Sequence, residues 1–191
     1  MNKQMLKDTA ILFVITLVVG FCLAGVYHVT EAPIAAAEAE EKLQSYRDVF
    51  AEADDFVLAD LPENPGMVSE AMTAVDASGN ELGHVFLTTS PNGYGGDVAL
   101  TVGVTNEGEI TSVAVLTMSE TAGLGANITK PEFLDQFTGM NVPQVVYTKE
   151  GKKAPEEIDA ISGATISTNA VTEAVNAALN CAAQMREGVA P

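Results

Sequence analysis

The sequence predicts an α+β domain behind a single N-terminal transmembrane helix, and three observations predict it. Residues 10–29, AILFVITLVVGFCLAGVYHV, run without any Asp, Glu, Lys or Arg; at about 1.5 Å per residue such a helix spans the roughly 30 Å hydrocarbon core. From about Val68, apolar-rich runs are bounded by turn residues, the signature of antiparallel strands. Near the end of the chain Val171, Ala174, Val175, Ala178 and Leu179 recur at i, i+3, i+4 spacing, which marks a terminal helix over Ala170–Met185. Strands segregated from helices make an α+β fold.

Composition bounds the function. With 191 residues, 47% of them hydrophobic, the chain can bury one good core but not two full domains plus an anchor. Nine Lys and Arg stand against 26 Asp and Glu, a net charge of −17, which repels phosphate backbones and excludes a nucleic-acid binder. Two Cys and two His cannot hold a cubane cluster or a four-thiolate zinc site, so no metal site is expected. Ser-His-Asp catalysis is equally unsupported, because His28 lies at the membrane face and His84 in a strand.

The chain divides into four stretches. Residues 1–9 form a cytoplasmic N-terminus, because Lys3 and Lys7 precede the apolar run while Glu31, Glu38, Glu40 and Glu41 follow it. Residues 10–30 are the transmembrane anchor, with Tyr27 near its outer end. A cleaved signal peptide fits less well, since its apolar region runs only about 7–15 residues. Phe21 before Cys22 argues against a lipoprotein start. The remainder therefore sits outside the cytoplasmic (inner) membrane as a single-pass domain.

Residues 31–66 read as a juxtamembrane helix and linker: Leu43, Tyr46 and Phe50 keep helical spacing, and Pro62, Pro65 and Gly66 end the region. Residues 67–191 form the folded domain. MTAVDASGNELGHVFLTTS reads as a hairpin around an Asp76–Asn80 turn, and a second hairpin turns at Asn106-Glu107-Gly108. A short helix is expected over Pro131–Phe137, with Gly139 past its end, and Lys149–Lys152 marks a turn. Cys181, in NAALNCAAQM, is expected to be a small packed residue, and no intrachain disulfide is expected.

The chemistry concentrates in two places. AGLGAN (Ala122–Asn127) and Gly93-Tyr94-Gly95-Gly96 are glycine-rich, but neither carries a dinucleotide or P-loop signature, and alone each reads as a tight turn. The run Asp159-Ala160-Ile161-Ser162-Gly163-Ala164-Thr165-Ile166-Ser167-Thr168-Asn169 is different. Its hydroxyls and asparagine precede the expected helix, where free N–H groups and the dipole favour an anion. One capping residue would explain a single Ser or Thr; a run of small hydroxylic residues with an acid ahead of it suits a phosphate-bearing ligand.

Asp159-x-x-Ser162-Gly163-Ala164-Thr165 resembles the flavinylation signature of the FMN-binding domain family. The resemblance implies FMN attached through a phosphoester to Thr165, installed from FAD by a magnesium-dependent flavin transferase that recognises Asp159 through Ala164. Glu120-Thr121-Ala122-Gly123-Leu124-Gly125 resembles the family's second motif, E-T-P-G-L-G, with Ala122 in place of proline, which implies a looser turn beside the flavin. Ser167 and Thr168 complete the implied cofactor set. An N-in anchor followed by one such domain is similar to the family of G subunits of Rnf electron transport complexes. It is also similar to the C subunits of sodium-pumping NADH:quinone reductases, which are usually longer. The implied role is a one-flavin relay in an ion-translocating ferredoxin:NAD oxidoreductase, partnered by the other membrane subunits. The implied enzyme is the complex, and no substrate turnover by this chain alone is expected. The alternatives are a free-standing tethered flavoprotein reductase and a noncatalytic binding module whose Ser/Thr run only caps a helix.

Overall fold

Helix α1 runs from Lys3 to Val49 with Pro33 inside it. The structure, a computed structural model, describes residues 3–188; residues 1–2 of the expected N-terminal segment and 189–191 of the expected domain lie outside the described residues. The chain forms two compact units, Met1–Glu41 and Lys42–Pro191. In the first, every side chain from Gln4 to Val29 is exposed, and the helix is long and apolar enough to cross a membrane.

The second unit is built on a five-stranded antiparallel meander in the order β1-β2-β3-β4-β5, with β1 Asp55–Ala59, β2 Val68–Val75, β3 Glu81–Ser90, β4 Val98–Thr105 and β5 Ile110–Thr117. Both expected hairpin turns are present. Asp76 Oδ1 accepts the Ser78 and Asn80 N–H groups at 2.8 and 2.9 Å, and the Thr105 carbonyl accepts the Gly108 N–H at 2.9 Å. Both faces of strand β4, which lies between β3 and β5, are covered. Val98, Leu100, Val102 and Val104 face a core completed by Phe86 and by Val171, Ala174, Val175 and Ala178 of helix α3 (Thr165–Gly188).

Thr101 and Gly103 face the other way, towards the last turns of α1. Ser45 Oγ lies 3.0 Å from Thr101 Oγ1. A Cβ on Gly103 would strike the Val49 carbonyl, which also accepts the Thr111 hydroxyl. Tyr46, Val49 and Phe50 are buried there with Ala74 and Val85. Full burial of a side chain such as Val49, Phe50 or Val85 contributes about 1.5–3 kcal/mol. Tyr46 also donates to Glu70 Oε1 at 2.6 Å, and Lys42 pairs with Glu70 Oε2 at 2.7 Å.

Four sequence expectations need revision. The stretch 31–66 holds an edge strand, β1, besides helix. The segment after Lys130 keeps only Pro131–Leu134 as helix α2, followed by turns. A small ladder, β6 Val146–Thr148 with β7 Glu157–Asp159, pairs parallel rather than antiparallel. The terminal helix begins at Thr165, five residues before the expected Ala170, because the polar residues read as preceding it already form its first turn. Cys181 is buried, and both cysteines are free.

Burial alone would raise the Glu70 pKa, but the bonds from Lys42 and Tyr46 and the Lys42 charge outweigh it and hold the carboxyl below its ordinary range. A depressed folded value gives stability that is complete above the unfolded pKa and lost as pH falls through the folded one. Tyr46→Phe keeps the ring and loses the bond, and should cost about 1 kcal/mol near neutrality. The deficit should shrink on acidification below about pH 4, as urea unfolding of the detergent-solubilised chain at the two pH values will measure.

Candidate functional site

The β3–β4 loop, the exit of β5 and the start of α3 all lie at one end of the sheet, because β3 ends where β4 begins and Ala99 pairs with Thr117. One side chain ties the three together. Glu120 Oε1 accepts the N–H groups of Tyr94 at 2.7 Å and Gly95 at 3.3 Å, and Oε2 accepts the Ser167 hydroxyl at 2.8 Å. No described Lys, Arg or His pairs with Glu120, so its charge is met by hydrogen-bond donors alone. Gly125 is what permits this approach: a Cβ there would overlap Glu120 Oε2 and press on Ser167 Oγ.

Beside this knot lies a cavity of about 500 Å³ lined by Tyr94, Glu120, Thr121, Leu124, Gly125, Gly163, Ala164, Thr165, Ile166 and Ser167. The two motifs meet across it, with Leu124 Cδ2 3.5 Å from where a Cβ on Gly163 would stand. Gly163 itself is left-handed, φ +77°, a conformation that L side chains adopt only with strain. No lining residue is cationic.

The hydroxyls of the first turn of α3 are not equivalent. Ser167 is buried and committed to Glu120. Thr168 is fully buried; its Oγ1 donates to the Ala164 carbonyl at 3.0 Å and accepts the Ile161 N–H at 3.1 Å. Thr165 is half-buried, lines the cavity and has no hydrogen-bond partner for its hydroxyl among the described residues.

Of the residues singled out in the sequence, Glu120, Thr121, Leu124, Gly125, Gly163, Ala164, Thr165 and Ser167 line the cavity, while Gly123, Asp159, Ser162 and Thr168 do not. Gly123 shapes the turn before Leu124, and Thr168 sits behind the wall. Asp159, exposed at the end of β7, borders a separate, shallower cleft with Lys130 and Gln136. Sequence reasoning missed Tyr94 and Ile166, which are 70% and 51% exposed at the cavity rim. The available signals were an aromatic set among three glycines and an apolar residue off the buried stripe of α3. His84 lies elsewhere, in a cleft with Arg186 near the other end of α3, where burial lowers its pKa and favours the neutral ring.

Residues 93–180 match the FMN-binding domain family and residues 1–49 match the RnfG N-terminal region. Over 183 residues the chain is 33% identical to the G subunit of the ion-translocating oxidoreductase complex of Methanosarcina acetivorans, covering 94% of this chain and 95% of that relative. The chain belongs to the RnfG family of ion-translocating oxidoreductase complexes. It is also 30% identical to the G subunit of the Na(+)-translocating ferredoxin:NAD(+) oxidoreductase complex of Acetobacterium woodii, covering 91% of this chain and 89% of that one. The fold is shared with Shewanella oneidensis NqrC, with a TM-score of 0.52 at 18% identity over 73% of this chain and 74% of that one.

In this RnfG-family chain the Thr121–Leu124 turn is closed, not loose. Leu124 N–H reaches the Thr121 carbonyl at 3.1 Å, and Gly123 follows Ala122 at φ +79°, as in a type II turn. Proline suits the Ala122 position in such a turn because it presets φ there, and no backbone bond from the Ala122 N–H would be lost. Ala122→Pro should therefore stabilise the RnfG-family domain by about 0.4–1 kcal/mol through the unfolded state. The thermal midpoint of the solubilised chain should rise by roughly 1–4 °C.

Proposed function

We propose that this chain is the membrane-anchored electron carrier of an ion-translocating ferredoxin:NAD oxidoreductase complex, holding FMN as a phosphoester of Thr165. The observation that carries the reading is the inequality of the hydroxyls: Ser167 and Thr168 are committed to Glu120 and to the Ala164 and Ile161 backbone, while Thr165 faces the cavity unbonded. The cavity also fits the group. Gly125 and Gly163 let the walls come close, Tyr94, Leu124 and Ile166 offer apolar surface to a ring system, and the first turn of α3 would offer free N–H groups to a phosphate.

FMN when bound supplies the electron transfer; the side chains here hold and orient it. In maturation the Thr165 hydroxyl gives up its proton and its oxygen bonds to the FMN phosphorus, while the phosphoanhydride bond of FAD breaks and AMP leaves. A flavin transferase with magnesium supplies the site for that step, reading Asp159, Ser162, Gly163 and Ala164. Glu120, Thr121, Gly123, Leu124 and Gly125 form the wall beside the ring. Residues 10–30 span the inner membrane with residues 1–9 in the cytoplasm and 67–191 outside it, and the partners are the other membrane subunits of the complex. The lysines before the apolar run and glutamates after it support that orientation.

Full-length protein co-produced with a flavin transferase should give an ultraviolet-fluorescent band on a denaturing gel, with FMN less one water on the peptide that contains Thr165. Thr165→Ala should abolish the fluorescence, and Ser167→Ala should retain it. A dark wild-type band beside an active transferase overturns the reading.

A further inference from the structure

The loop from Asp159 to Thr165 is held by two side chains that lie outside it. Gln136, in the turn after α2, brackets the backbone of Asp159: its Oε1 accepts the Asp159 N–H at 2.6 Å and its Nε2 donates to the Asp159 carbonyl at 3.3 Å. That is the pairing a neighbouring strand would make, supplied here by one amide. Thr168 closes the other end through the Ile161 N–H and the Ala164 carbonyl. Between them the Ala160 N–H reaches the Thr148 carbonyl at 2.8 Å, and the Ala164 N–H reaches the Ile161 carbonyl at 3.0 Å.

The backbone of the loop is thus tied down while its functional side chains are left free. The Asp159 carboxylate and the Ser162 and Thr165 hydroxyls have no hydrogen-bond partner among the described residues, and Asp159 and Ser162 are exposed. Gln136 does not line the 500 Å³ cavity. It borders the separate cleft of about 340 Å³ that Asp159 also borders, so it has no route to a ligand at Thr165.

We propose that Gln136 is a positioning residue for flavin loading, holding Asp159 and the acceptor loop in the one conformation that a flavin transferase engages. This rests on the reading of Thr165 as the attachment point. An enzyme that acts on a mobile loop binds only the competent fraction, and its apparent affinity falls in proportion to that fraction. A loop held by Gln136 removes that loss. The effect therefore belongs to acceptor binding, the KM for this protein as a substrate, and not to the transfer step after the loop has docked.

The test uses the full chain in detergent with FAD, magnesium and a purified flavin transferase, reading in-gel fluorescence against acceptor concentration. Gln136→Met keeps the length of the side chain and loses both bonds; Gln136→Glu keeps an acceptor for the Asp159 N–H, the shorter of the two. Gln136→Met should raise the acceptor KM about tenfold, the factor one net hydrogen bond carries, with kcat unchanged. Gln136→Glu keeps an acceptor for the Asp159 N–H but turns an oxygen on the Asp159 carbonyl where Nε2 donated, so it should recover part of the loss and leave KM about threefold above wild type. Hydrogen exchange of the unloaded chain should quicken at the Asp159 amide in Gln136→Met and not in Gln136→Glu. Wild-type labelling with an unchanged KM in Gln136→Met overturns this inference alone. So does an equal loss in both variants with a lowered thermal midpoint, which would mark a general defect of folding. An unlabelled wild-type chain, or label persisting in Thr165→Ala, overturns the Thr165 reading and this inference with it.

Discussion

The Glu120 carboxylate accepts hydrogen bonds from the β3–β4 loop and from the first turn of α3 while its own backbone continues the exit of β5. Other contacts also hold these segments, Asn92 through Glu173 at 2.8 Å and the first turn of α3 through Thr168, but Glu120 is the side chain that bonds to both. A half-buried carboxylate with no cation beside it is stable only where donors replace the water it has lost. The donors here are two backbone N–H groups that no strand uses and one serine hydroxyl. Gly125 is bound into the same arrangement, since any side chain at that position would occupy the space Glu120 and Ser167 share. An apolar residue at 120 would leave the Tyr94 N–H and the Ser167 hydroxyl without their carboxylate partner and would remove the tie between the glycine turn and the cavity wall.

The sheet beneath serves two cores at once. Alternation along β4 sends Val98, Leu100, Val102 and Val104 to α3 and sends Thr101 and Gly103 to the last turns of α1. The second contact uses small and polar residues because a helix carbonyl, that of Val49, comes into the place where a side chain would stand. Both faces of β4 are thereby removed from water, and the end that carries Glu120 is framed by a scaffold with little freedom to relax.

How much of this was legible in the sequence differs from element to element. The β2–β3 and β4–β5 turns were legible because Asp76, Asn106 and Gly108 each have a turn-making mechanism. Strand β1 was not: DFVLA is short, follows an acidic helix and precedes Pro62, and its strand character depends on pairing with β2. The start of α3 was misplaced because Thr165, Ser167, Thr168 and Asn169 break the apolar periodicity, although two of those hydroxyls turn inward to backbone and carboxylate partners. The two glycine-containing motifs could be placed together only by resemblance. Their geometric link, the bond from the Ser167 hydroxyl to Glu120, depends on how α3 packs on the sheet, which local sequence does not encode. Of the expected stripe, Leu43 stays exposed and Phe50 lies just past the end of α1, while Tyr46 and Phe50 are buried by the far face of a sheet that begins later in the chain.

The charge around the cavity bears on why a covalent bond suits this site. Sites that retain phosphate reversibly commonly use Arg or Lys, or several backbone donors with a helix dipole. Among the lining residues there is no cation, and the one charged group is the anionic Glu120. Its negative charge opposes a phosphate dianion, and the start of α3 alone has to offset that. The proposed ester to Thr165 would change the balance twice over: it would remove one ionisable oxygen from the phosphate, lowering the repulsion, and it would make retention independent of whatever repulsion is left. Tyr94, Leu124 and Ile166 stay at the rim, 70%, 49% and 51% exposed, and a tethered ligand would not need them to enclose it. A carrier that must meet successive partners gains from that openness, since brief redox encounters bury little surface, and a tightly enclosing pocket would have put protein between the ring and each partner.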